Sequence, residues 1–180
     1  SHINFLYKKG GMYLVYNHNL LFHASVPLNE DRSFKKVRIG KKLYAGRAMM
    51  DRVDEFVRCA HWSSADHPEH KAVDFMWYLW CGPDSPLFDK SAMTTFERYF
   101  IAEKETHHEE KGYYYVYRVE QEVCERILEE FGLSGNDTHI INGHVPVKAV
   151  KGEHPLQAGG KLMLIDGGFS RAYQSSTGIA

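Results

Sequence analysis

"MYLVYNHNLLFH", residues 12–23, decides how the chain begins to fold. Two short apolar runs, "MYLVY" (12–16) and "NLLFH" (19–23), flank Asn17-His18. A polar pair between two apolar runs is a tight connection, so the spacing predicts a β-hairpin. The second run ends on His23. A histidine in that place is either packed in the core or held out at a strand end as a ligand or proton carrier. The stretch alone leaves both readings open.

Beyond the hairpin, "SFKKVRIG" (33–40) alternates in part and predicts a further strand. The pattern then changes period. In "GRAMMDRVDEFVRCAHW" (46–62), Met49, Val53, Phe56, Val57 and Ala60 recur at spacings of three and four, which predicts a helix. "HPEHKAVDFMWYLWCG" (67–82) predicts a second helix, with Pro68 in its first turn and Gly82 beyond its end. "GPDSPLFD" (82–89) reads as a loop. A short helix is expected near 94–100, with a polar stretch after it. "EQEVCERILEEFGL" (120–133) sets Val123, Ile127 and Phe131 four residues apart and stops at Gly132. "THIING" (138–143) and "KLMLIDGG" (161–168) are short apolar strands that run into polar or glycine turns. Strands, helices, strand, helix and strand make an α/β or mixed layered domain with interior strands.

Composition narrows the function. The chain has 180 residues, enough for one domain with a sizeable core. Apolar residues make up 43%, which excludes a disordered segment. Acidic and basic residues number 23 and 22, so there is no basic excess to bind nucleic acid. No apolar run approaches the roughly 20 residues of a membrane span, and no signal peptide is evident at the start. Cys59, Cys81 and Cys124 are odd in number and widely spaced, which argues against a disulfide framework and for a reducing, cytoplasmic setting. The first residues read as mid-pattern, and an apolar run opens at "STGIA" (176–180). A fragment of a longer polypeptide is therefore expected, beside the plainer reading of a small protein with modest tails.

Three strand exits carry polar groups: His23 after "LLF", His144 after "HIING", and Asp166 ahead of Gly167-Gly168. Strand ends are where α/β proteins usually bind ligands. Imidazole suits a Zn, Mn, Fe or Ni centre and also serves in acid–base chemistry. The glycines beside His144 and Asp166 would allow close approach or positive φ. Two histidines do not complete a metal site, and Asp166 reads equally as a turn former. His67 and His70, and His107 and His108 beside two glutamates, offer an alternative histidine-based metal module. Polar surface is the plainer account of these four.

The blocks "GGMYLVYNHNLLFHASVPLNED" (10–31), "MWYLWCGPDSPLFDKSAMTTFERYFIAEKETHHEEK" (76–111), "EVCERILEEFGL" (122–133) and "INGHVPVKAVKGEHPLQAGGKLMLIDGGFSRAYQSSTGIA" (141–180) together resemble the class III fructose-1,6-bisphosphatases of Firmicutes and related bacteria. That family lies within the calcineurin-like metallophosphoesterases. The resemblance covers the whole chain in order. It implies part of a four-layer α/β/β/α metallophosphoesterase sandwich. Residues 1–180 would be its C-terminal part, and 46–110 a mostly helical insertion. It implies hydrolysis of the 1-phosphate of fructose 1,6-bisphosphate, a step of carbohydrate metabolism, at a two-metal centre with manganese as the expected ion.

Carried over by residue, the resemblance makes His23 and His144 ligands of one metal. Lys148 and Arg171 lie near the strand exits and are candidates to meet the sugar phosphate. Asp166 would orient a ligand from behind. No catalytic acid or base is assigned. The chain departs from the family pattern at Ala24-Ser25, where Gly-Cys is usual, and at Arg32, where Gly is usual. Pro146 occupies a position that is a second histidine ligand in some members of the superfamily. The superfamily's N-terminal motifs, Asp-x-His, Gly-Asp-x-x-Asp-Arg-Gly and Gly-Asn-His-Glu or -Asp, are missing. The expected partners are therefore the N-terminal half of the same domain and a sugar-phosphate substrate. The chain by itself would be inactive and prone to self-association. An inactive structural or regulatory fragment is the alternative.

Overall fold

The computed structural model describes residues 2–63 and 70–166. In chain order the elements are α1 (His2–Lys9), β1 (Tyr13–Tyr16), β2 (Asn19–Phe22), β3 (Val37–Ile39), β4 (Lys42–Tyr44), α2 (Gly46–Trp62) and α3 (His70–Cys81). There follow α4 (Thr95–Phe100), α5 (Tyr113–Tyr117), α6 (Gln121–Glu130), β5 (His139–Asn142), β6 (Leu156–Gln157) and β7 (Leu162–Leu164), with short 3₁₀ turns between. The expected hairpin is β1–β2, paired antiparallel with Tyr16 opposite Asn19. Its turn residues Asn17 and His18 have φ of 48° and 62°. Positive φ at both central residues is the turn whose twist suits adjoining strands.

The chain is a mixed α/β fold. A five-stranded sheet runs β1-β2-β5-β7-β6, and a separate ribbon pairs β3 with β4. Within the large sheet β2, β5 and β7 are parallel neighbours, while β1 and β6 lie antiparallel at the edges. Two sheets flanked by helices is the arrangement expected of part of an α/β/β/α sandwich.

The sheet has two unlike faces. Register places Leu20, Ile140 and Leu162 in one row and Phe22, Asn142 and Leu164 in the next. Leu20, Ile140 and Leu162 are fully buried. Beneath them lies α6, whose Val123, Cys124, Ile127 and Leu128 recur at helical spacing and are all buried. On the opposite face the row runs Leu14, Leu21, Ile141, Met163, Leu156. It is just as apolar, yet Leu14 is 55% exposed and Met163 44%. Parallel strands are ordinarily covered on both faces; here the described residues cover one.

Helices α2 and α3 pack together, with Phe56 and Phe75 edge to face at 5.5 Å. Helix α2 presents Met49, Met50 and Val53 to the core. Its first turn is bound from α6: Glu130 Oε1 accepts the Arg47 amide at 3.0 Å. A side chain at position 46 would collide with that carboxylate, so glycine is required there, also because φ is 52°. Arg32 adopts φ of 68°, a left-handed conformation uncommon for a residue with a side chain. Its guanidinium donates to both oxygens of Glu120 at 2.7 and 2.9 Å and lies over the Tyr117 ring, contacts that offset the strained backbone.

Helix α1, helix α5 and strands β4 and β6 go beyond the sequence reading. No residue of α1 is buried, so it lacks the core-facing stripe that periodicity detects. The expected strand 33–40 shortens to β3, and the helix expected at 67–82 is described from His70.

If the buried row carries the stability, Ile140→Ala should destabilise the chain by about 2–5 kcal/mol. Met163→Ala, on the open face, should change it by less than about 0.5 kcal/mol. Urea unfolding of both variants measures the contrast.

Candidate metal centre

Parallel pairing brings the two ligand candidates together. Phe22 stands opposite Asn142, so β2 and β5 end side by side, and the next residues turn out of the sheet at one edge. The Gly143 amide donates to the His23 carbonyl at 3.1 Å. His144 Nδ1 and His23 Nε2 then face each other at 3.0 Å, with the rings edge to face. Residues 121 positions apart converge because the sheet makes them neighbours.

The positive φ expected at a neighbouring glycine falls on His144 itself, at 65°. A left-handed non-glycine residue is uncommon, and such residues concentrate at functional sites. Here the unusual turn is what directs the imidazole back toward His23.

Asn142 fixes both exits. It lies fully buried on the apolar face of β5. Its Nδ2 lies 3.3, 3.0 and 3.1 Å from the carbonyls of Phe22, His23 and Ala24. Its Oδ1 accepts from the Tyr114 hydroxyl at 3.1 Å and from Arg118 Nη1 at 3.5 Å. A single carboxamide thus clamps the backbone on either side of His23 while standing two residues before His144.

A cleft of about 500 Å³ opens from the pair and is walled by Met12, Leu79, Trp80, Leu87, Phe88 and Met93. The rings of Phe88 and Tyr115 lie 6.5 and 6.4 Å from His144. Burial lowers the His144 pKa; His23 and Lys90 push the same way, and Asp166 opposes them. The facing nitrogens can share only one proton, and the neutral imidazole is the form that ligates metal. Their spacing also suits two neighbouring ligands, since nitrogens about 2.1 Å from one metal at right angles lie about 3.0 Å apart. The donor pair therefore fits a divalent ion.

The pair is not a complete site. Among the described residues no group of three or more His, Cys, Asp or Glu side chains is placed to hold a metal. Asp166 influences His144 through its charge, and its backbone carbonyl accepts the Val147 amide at 2.9 Å. Lys148 is exposed on the loop after His144. Arg171 lies outside the described residues, as do His67 and the two glycines after Asp166. His107 Nε2 is engaged by the carbonyls of Glu97 and Ile101 at 3.0 and 2.9 Å, and His108 pairs with Glu110 at the surface. Those contacts give both histidines local structural partners.

A second buried group lies behind the cleft. Asp89 has φ of 51° and is 3% exposed. Burial raises its pKa to about 6; Asp84 adds to the rise, while Ser25 and Lys35 oppose it. Asp89 Oδ2 and Ser25 Oγ are close enough to interact, yet neither makes a hydrogen bond of normal geometry.

A model of the family described as Firmicute fructose-1,6-bisphosphatase matches residues 1–180. The chain belongs to that family. It is 69% identical over its full length to "Fructose-1,6-bisphosphatase class 3" of Porphyromonas gingivalis, covering 28% of that protein. It is 61% identical to the Bacteroides fragilis protein of the same name and 56% identical to that of Clostridium tetani, in each case over the whole chain and 27% of the relative. The chain thus spans a little over a quarter of the length of these curated relatives. No solved structure matches it.

Sequence reasoning reached the two histidines and missed Asn142, Tyr114, Arg118 and Asp89. One signal was present. In "HIIN", Asn142 shares strand parity with Ile140, so a polar side chain was due on the core face.

Asn142→Ala should destabilise the chain by roughly 3 kcal/mol or more, at about 1–3 kcal/mol for each buried group left unpaired. It should also separate the His23 and His144 signals in an NMR spectrum. Asp89 predicts a pH effect of definite sign. Its folded pKa is raised, so its contribution to stability is complete below the unfolded value near 3.8 and is lost as pH rises through about 6. The chain should be less stable at pH 7 than at pH 4 by up to about 3 kcal/mol from this group. Asp89→Asn should flatten that slope in denaturation experiments.

Proposed function

We propose that this chain is part of the catalytic domain of a metal-dependent phosphomonoesterase that removes the 1-phosphate of fructose 1,6-bisphosphate, giving fructose 6-phosphate and phosphate. The observation that carries the reading is the approach of His23 Nε2 to His144 Nδ1 at 3.0 Å on adjacent strand exits, in a chain of the class 3 family. Relatives bearing the enzyme's name match along every residue of the chain.

In the complete centre two divalent ions, manganese in this reading, would clamp phosphate oxygens and activate a water. The chain's share is narrower. His23 and His144 would hold one ion as neutral imidazoles, a state that the burial of His144 favours. Asn142 would set both rings before any ligand arrives, so that little ordering is left to binding. The apolar walls of the cleft would exclude bulk water from the reacting phosphate. Asp166 would act on His144 through its charge, and Lys148 would meet the sugar phosphate.

The remaining metal ligands would come from the part of the domain that the relatives possess and this chain lacks. The same part would cover the open apolar face of the sheet. Residues 46–110 would be an insertion in the domain, packed on the core by α2 and α3 and bordering the cleft through Leu79 and Trp80. Without the missing layer the exposed Leu14, Leu156 and Met163 would drive self-association. All three cysteines are free, which fits a cytoplasmic enzyme. Among the described residues no helix is long and apolar enough to cross a membrane.

In the full-length protein, His23→Ala and His144→Ala should each lower metal-dependent phosphate release by about 100-fold or more and reduce bound manganese. The chain by itself should release none. Normal turnover and metal content in either variant would sink the assignment.

A further inference from the structure

Four cations gather on one flank of the histidine pair. Lys90 and Lys111 face each other across an antiparallel bridge. Like charges in that position repel. Lys90 Nζ lies 5.4 Å from the Phe88 ring. Lys111 Nζ and the Arg118 guanidinium lie 6.0 and 5.5 Å from the Tyr115 ring. Phe88 and Tyr115 are the two aromatic rings beside His144. Lys148 follows on the His144 exit loop and acts on Lys111 through its charge.

The negative charges nearby are fewer. Lys90 pairs with Glu109 at 3.1 Å. Glu153 accepts the Lys148 amide at 2.9 Å and opposes the repulsion at Lys111. Arg118 is 8% exposed, and among the described residues it forms no ion pair. Its hydrogen bond to Asn142 is long, at 3.5 Å. A guanidinium so deeply set is costly without an anion. The buried Asp89 carboxylate lies beside Gly112 and acts on Tyr115 through its charge, so four cations face three carboxylates on this flank and the balance stays positive.

We propose that Lys90, Lys111, Arg118 and Lys148 form a receptor for the phosphate that the substrate keeps, on the Phe88–Tyr115 flank of the histidine pair. The proposal rests on the reading of this chain as part of a sugar-bisphosphate phosphatase. A bisphosphate has one phosphate to lose and one to be held by. The first belongs with the metal. The second needs cations in fixed places without a metal, which is what this flank offers. Arg118 links the two halves, since it reaches both this flank and the Asn142 clamp.

The test uses the 180-residue chain with metal removed by chelation, and fructose 1,6-bisphosphate as the probe, followed by NMR titration. The parent should bind saturably, with the largest shifts in residues 88–90, 111–118 and 148. Lys111→Ala/Lys148→Ala should weaken binding by about tenfold or more. Lys41→Ala/Lys42→Ala, which removes two lysines elsewhere, should leave it within about twofold. Manganese titration of each variant, read separately, should be unchanged. The proposal is overturned if the metal-free parent does not bind the probe, or if both double variants lose binding alike. Failure of manganese to bind the parent, with lysine-dependent binding of the probe intact, would remove the metal reading and leave this site standing.

Discussion

A buried carboxamide organises this molecule. Asn142 occupies a core position between Phe22 and Leu164, where an aliphatic residue would pack as well. Placing an amide there is costly unless each polar atom finds a partner. It finds five: three carbonyls around His23, the Tyr114 hydroxyl and the Arg118 guanidinium. A satisfied network of this kind permits one arrangement of the chain and penalises others. The spacing of the two imidazoles follows from it, because Asn142 holds the loop of one and leads directly into the loop of the other.

The network also explains why the helical half of the chain bears on the strand ends. Tyr114 belongs to α5, and the Arg118 side chain extends from its C-terminal end. Both reach Asn142 only if α5 seats against the ends of the inner strands. The Tyr115 hydroxyl then donates to the Phe88 carbonyl at 3.1 Å, holding the loop that forms one wall of the cleft. Cys124 Sγ lies 3.0 Å from the Arg118 carbonyl, and burial pushes its thiol up to about 12. It is a packing residue and an inert thiol. The chemistry-bearing loops are therefore tied to buried anchors at several points.

Period is the property that made the fold legible in the sequence. Strands β1, β2, β5 and β7 and helices α2, α3 and α6 each had a clear alternation or a helical stripe, and each forms where expected. The elements that escaped lack a stripe. Helix α1 buries nothing, and "YYYVY" of α5 is apolar all round and short, which strand and helix share. Of the site, the two histidines were visible as polar residues ending apolar runs. Their partners were not. Tyr114 and Arg118 owe their importance to a contact across 28 and 24 residues, and Lys90 and Lys111 are brought together by a bridge across the polar stretch between them. One-dimensional spacing carries no trace of either.

The two faces of the sheet divide the labour between folding and chemistry. Alternation along β2, β5 and β7 sends Leu20, Ile140 and Leu162 to the α6 side and Leu21, Ile141 and Met163 to the other. The first set is buried, so the core is built on that side. Asn142 also lies on that side, in register with Phe22 and Leu164. The anchor of the histidine pair is thus embedded in the face that is already covered, and its geometry does not depend on whatever packs over the second face. With one sheet face left open by the described residues, the chain on this account still holds the His23 and His144 nitrogens 3.0 Å apart.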